Sequence, residues 1–218
     1  MLSKVKSVLL MWFPGDEGGW ATANLLLGRV SPAGRLPFTW PQRLDQGVAN
    51  DPAHPERESH AKEGEGKTIY SEGIFMGYRW YDHQHLKPLY PFGYGMSYTR
   101  FSYSGLKVAR AADGGLDISF DLRNTGQTAS DEVPQVYLDA PRHQPGVAQF
   151  AVHALAAFDR VHLNAGQSRR IAMHVSRRSL EYWSTAAKHW VLADGPREVR
   201  VGASSRDFRL ETTTFIAP

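Results

Sequence analysis

The chain has 218 residues, 42% hydrophobic and 22% charged, with 25 basic against 22 acidic side chains and a formal charge of +3. Such a composition suits one or two globular domains with real cores and argues against disorder. No apolar run is long enough for a membrane span, residues 1–4 lack the apolar core of a secretory leader, and the absence of cysteine excludes disulfides, thiolate nucleophiles and cysteine-ligated metals.

The basic excess behind a pI near 9.2 is scattered. Arg169-Arg170 and Arg177-Arg178 lie beside strand-like segments and read as solvated faces, so neither nucleic acid nor membrane is expected as a partner. The compartment stays open, and a chain expressed as given would be cytoplasmic.

Val5 to Phe13, VKSVLLMWF, reads as a strand buried on both faces, of the kind found inside a parallel sheet. Such a strand needs neighbours on each side, yet the next ninety residues offer one further short strand, Gly34 to Thr39, and one good helix. Most of the sheet is therefore expected to be missing, with this chain as the tail of a larger protein. PGDEGG, Pro14 to Gly19, forms a tight loop before a helix from Trp20 to Leu27 that Gly28 closes. A glycine loop at a helix N-terminus suits phosphate, but this pattern is neither the P-loop nor the dinucleotide fingerprint, and Asp16 and Glu17 would repel an anion.

From Gln42 to Lys67 the chain is polar and rich in Pro, Gly and charge, as in a long surface loop. His54, Glu56, Glu58 and His60 within it suggest a metal, but their spacing is not that of a zinc helix and no cofactor is expected. Tyr70 to Tyr98 then concentrates aromatics and glycines. Rings supply large buried area and glycines allow close backbone approach, so this stretch is expected to be a seam packed between two domains. Beyond it come short alternating strands at Phe101–Val108, Leu116–Leu122, Val133–Leu138, Val152–Phe158, Arg169–Val175, His189–Leu192 and Glu198–Ala203. About seven strands in this span, with no long helix, is the pattern of an antiparallel sandwich of immunoglobulin type. The expected organisation is mixed: a partial α/β unit with its long loop over 1–69, the seam over 70–98 and an all-β sandwich over 99–218.

Taken together, WFPGDEGG, SPAGRLPFTWP, YSEGIFMGYRWYD, PLYPFGYGMSYT, LRNTG, VPQVYL, HLNAGQS and VRVGASS resemble the C-terminal part of glycoside hydrolase family 3, the β-glucosidase and β-xylosidase group. The resemblance implies the end of an α/β sandwich domain joined to a fibronectin type III-like domain. The parent reaction it implies is retaining hydrolysis of a terminal β-glycosidic bond, a β-glucosidic one by the nearest group, in enzymes often periplasmic or secreted. Retaining glycosidases use two carboxyl groups about 5 Å apart. In this family the nucleophilic aspartate lies on an N-terminal barrel and the usual acid/base glutamate lies earlier in the α/β domain, and neither motif occurs here. The chain alone is thus expected to be non-catalytic, with no catalytic residue and no cofactor. It would meet β-linked carbohydrate only together with the missing domains; a second possibility is a non-catalytic module that binds carbohydrate or complements a separate N-terminal polypeptide.

Trp12, Asp16 and Glu17 stand at the C-terminal end of the expected first strand, where open α/β sheets gather ligands, and are candidates to border a sugar subsite. The structural alternative is that Trp12 packs and the acids cap the helix. Arg79 and Asp82 are expected to serve as an ion pair or backbone anchor at the junction. Tyr78, Trp80, Tyr81, Phe92 and Tyr94, in a ring cluster with Tyr90 and Tyr98, are expected to fill the interface.

Overall fold

The computed structural model describes residues 4–57, 69–143, 146 and 148–217. Helix α1 (Gly18–Leu26) ends where Gly28 takes φ +70°: the Gly28 N–H donates to Leu25 O and the Arg29 N–H to Asn24 O, so two terminal carbonyls are satisfied. The apolar run before it does not form the expected strand. Among the described residues it has no ladder partner, Val5 and Trp12 are about half exposed, and Phe13 is 99% exposed. A strand is made by neighbours that take its N–H and C=O groups, and here no neighbour does so. The second expected strand, Gly34–Thr39, is also replaced by something smaller. Leu36 exchanges backbone bonds with Tyr94 and Gly93, and Trp40 with Tyr90, so this stretch pairs briefly with the seam.

Within the seam lies a six-residue helix that the sequence did not announce, α2 (Tyr78–His83), entered through Gly77 at φ +56°. Among the described residues eleven strands follow, where about seven were expected: β1 (Phe101–Arg110), β2 (Leu116–Asn124), β3 (Ser130–Glu132), β4 (Gln135–Asp139), β5 (His153–Phe158), β6 (Val161–Leu163), β7 (Ser168–Val175), β8 (Glu181–Ser184), β9 (His189–Leu192), β10 (Gly195–Ser204) and β11 (Asp207–Ile216). All pairings are antiparallel, in sheets ordered β1-β2-β7 and β11-β10-β4-β5 with two small ribbons, β3-β6 and β8-β9. The all-β part is the sandwich the alternation implied, and the class as a whole is mixed.

Strand β2 shows why the pattern works. Leu116, Ile118, Phe120 and Leu122 are buried while the residues between them face outward, and across the interior they join Val136, Leu138, Val199 and Val201. Each fully buried side chain of this kind contributes roughly 1.5–3 kcal/mol by leaving water. The four strands absent from the sequence reading are three ribbon strands and β11, a sheet edge whose outward side carries Glu211, Thr213 and Phe215. Ribbons and edges bury one face at most, so their apolar signal is thin.

Candidate functional site

Trp12, Asp16 and Glu17 lie together before α1 and all three are exposed. Trp12 sits at φ +52°, uncommon for a bulky residue, and meets Phe38 edge-on at 5.7 Å. From there a chain of ring contacts runs through Trp40 and Tyr90 to Tyr94. Glu17 takes the N-cap position of α1, but no side-chain oxygen closes the helix N-terminus. Glu17 therefore does not cap α1 through a side-chain hydrogen bond. His54 Nδ1 lies 3.0 Å from Glu56 Oε1, which also accepts a 2.6 Å bond from the Ser71 hydroxyl. The Ser71 bond, followed by Glu56's own backbone N–H and His54, pulls Glu56 down to about 2. The other two members of that candidate metal set, Glu58 and His60, fall outside the described residues.

The seam residues converge on the sandwich. Tyr78 stacks on Phe92 at 5.0 Å, meets Tyr137 edge-on, and its hydroxyl accepts the Leu155 N–H at 2.8 Å. Trp80 and Tyr81 are buried with Phe75; the Trp80 indole N–H donates to Gln46 O, and the Arg57 guanidinium lies 5.1 Å from its ring. Phe92 O accepts the Ser205 N–H. Gly93 sits at φ +79° so close to Gln135 that an added Cβ would come within 2.2 Å of its side-chain oxygen, while Gln135 Nε2 donates to Gly93 O and Ala203 O.

Asp82 is paired, but not with Arg79. Its carboxylate, only 4% exposed, meets Arg206 at the β10–β11 turn at 2.7 Å, whereas Arg79 lies over the Tyr78 ring at 5.9 Å. Burial raises Asp82 above its ordinary value, outweighing Arg206 and His153. A second anchor is the Arg35–Glu132 pair at 2.6 Å, nearly enclosed, with the Ser130 hydroxyl bonded to Ser31 beside it.

Sequence reasoning missed a polar cluster on the adjoining sheet. Asp139 on β4 holds His153 Nδ1 at 2.6 Å and Arg200 Nε at 2.9 Å, and Arg200 also reaches Glu198 and Glu211. Burial opposes ionisation of Asp139, but His153 and Arg200 outweigh it and hold it below its ordinary value. These residues are neighbours through the pairing of β4 with β5 and β10 and of β10 with β11, which no local motif encodes.

Residues 1–78 match the glycosyl hydrolase family 3 C-terminal domain and residues 132–205 a fibronectin type III-like domain. Both matches, in this order, define the class: the chain is similar to the C-terminal portion of glycoside hydrolase family 3, a family 3 C-terminal domain followed by a fibronectin type III-like domain. The relatives it matches are β-glucosidases. A β-glucosidase of Rhizobium radiobacter is 35% identical over 99% of this chain and 26% of its own length, and one of Bacteroides ovatus is 34% identical over 98% and 28%. Among solved structures, a β-glucosidase from Streptomyces venezuelae in complex with D-glucose superposes with a TM-score of 0.91 at 38% identity, covering 99% of this chain and 27% of that one. β-Glucosidase 3B from Thermotoga neapolitana gives 0.85 at 36%, covering 96% and 28%. The chain thus spans about a quarter of the length of these relatives.

Proposed function

We propose that this chain supplies the non-catalytic, C-terminal part of a β-glucosidase-type enzyme that hydrolyses terminal β-glycosidic bonds with retention. Its sandwich and seam form one scaffold, divided near residues 69 and 98, and the bare apolar surface before and on α1 seats the remainder of the enzyme. The observation that carries this reading is coverage: nearly the whole chain superposes on β-glucosidases, while about three quarters of each relative has no counterpart in it. The exposed stretch 5–13, with Trp20 and Leu26 of α1 and Leu27 at its C-cap also about two-thirds exposed, supports the docking role. Contiguous apolar surface of this kind marks an interface or an aggregation hazard. Trp12, Asp16 and Glu17 border that surface, where a sugar subsite completed by the missing part would lie.

The test replaces the matching quarter of the Thermotoga neapolitana enzyme with this chain. Aryl β-glucoside hydrolysis is expected from the chimera and lost when that quarter is deleted. Undiminished activity in the deletion, or a folded chimera without activity, would contradict the proposal.

A further inference from the structure

A cleft of about 490 Å³ opens between the seam and the β4–β5 end of the sandwich, lined by Phe75 and His83 on one side and by Asp139, Gln149, Phe150 and Val152 on the other. Its volume falls within the roughly 300–1,000 Å³ usual for small-molecule sites, which favour domain junctions and combine apolar walls with a few placed polar groups. Phe75 and His83 are stacked in parallel at 3.8 Å, and Phe150 is braced edge-on by Tyr182 at 5.7 Å, so each wall presents a ring held in place. Asp139 is bonded by His153 and Arg200, and Arg200 is shared with Glu198 and Glu211. The polar wall is thus a hydrogen-bonded network of both signs, fixed in place, with no isolated charge turned into the cleft. Gln149, exposed at the rim, adds an amide that both donates and accepts.

A pyranose ring has the complementary shape: C–H bonds on its faces for an aromatic wall, and hydroxyls around its edge for a carboxylate and an amide. We propose that this cleft binds a pyranose unit of a neutral β-linked oligosaccharide. The choice of a sugar among neutral polyols rests on the β-glucosidase reading above; the cleft itself rests on geometry.

The experiment is amide and side-chain NMR of this whole chain titrated with cellobiose, laminaribiose and xylobiose, for the wild type and for Gln149→Ala and Phe150→Ala. Saturable shifts at Phe75, Phe150 and the Gln149 side-chain amide are expected with at least one disaccharide, at affinities on the order of millimolar, and each variant should weaken binding about tenfold or more. Gln149→Ala alters an exposed position and keeps the test decisive if Phe150→Ala fails to fold. No saturable shift, shifts confined to other parts of the chain, or undiminished binding in either folded variant would overturn the proposal. Hydrolysis is not read here, so an empty cleft leaves the β-glucosidase reading standing, and an inactive chimera leaves the binding result standing.

Discussion

Replacing Arg206 with alanine should cost more stability than replacing its partner Asp82 with asparagine. Arg206→Ala leaves a carboxylate that is 4% exposed, with its second oxygen already lacking a hydrogen-bond donor, and removes the cation 2.7 Å away. Breaking a fully buried pair costs about 3–5 kcal/mol and an exposed one about 0–1. With one end buried and Arg206 38% exposed, this pair falls between, at about 2 kcal/mol. Asp82→Asn instead removes the buried charge and leaves an arginine that reaches water and still has Leu86 O as acceptor, so its cost should be about 1 kcal/mol or less. The pH dependence separates the mechanism from simple loss of packing. Burial raises Asp82, and Arg206 is the largest influence lowering it, so Arg206→Ala raises it further. A carboxylate whose folded pKa is raised contributes stability that is full below its unfolded value and lost as pH rises through the folded one. The deficit of Arg206→Ala relative to wild type should therefore be larger at neutral pH, with Asp82 ionised, than at acid pH, with Asp82 protonated in both proteins. Urea unfolding of both variants at the two pH values measures this. Equal costs for the two variants, or a deficit for Arg206→Ala that does not change with pH, would refute the reasoning.

Gly93→Ala should destabilise by about 2 kcal/mol or more, because φ +79° and the Gln135 side chain both oppose a Cβ there; a Tm unchanged from wild type would contradict it. Phe120→Ala, at a position with no exposure, should cost about 3–5 kcal/mol in urea unfolding, and a loss below about 1 kcal/mol would show that the two sheets close over the space. His174 between Asp117 and Asp113 should titrate by NMR above its ordinary value, held up first by the Asp117 bond, and Asp117→Asn should lower it. The associated stability is present at acid pH and lost as pH rises through the His174 pKa, and an unmoved titration in the variant would remove this assignment.

The sandwich was legible because its central strands alternate cleanly: Leu116 to Leu122 tells inside from outside at every residue, and Asn124-Thr125-Gly126 marks the turn. β11 was not, because threonines fill much of the edge strand and a tight Ser204-Ser205-Arg206 turn leaves no loop to mark its start. α2 stayed hidden because six residues of mostly aromatic sequence have weak helical preference and are held by burial of Trp80 and Tyr81, with Asp82 locked to Arg206. Val5 to Phe13 failed in the opposite sense. Its apolar run is a sound strand signal, but β structure is completed by a partner strand, and sequence alone cannot supply one. The concentration of rings and glycines in 70–98 is plain in the composition, whereas its contacts are not: Asp82 with Arg206 and Gly93 with Gln135 join positions far apart in sequence.

The chain is proposed to supply the scaffold, with the hydrolytic carboxylates elsewhere. The most direct test is turnover of aryl β-glucosides and β-xylosides by this chain alone, followed through purification with controls for host enzyme. No hydrolysis above background is expected at any fraction; activity that co-elutes with the pure chain and persists after host enzyme is removed would contradict a non-catalytic scaffold.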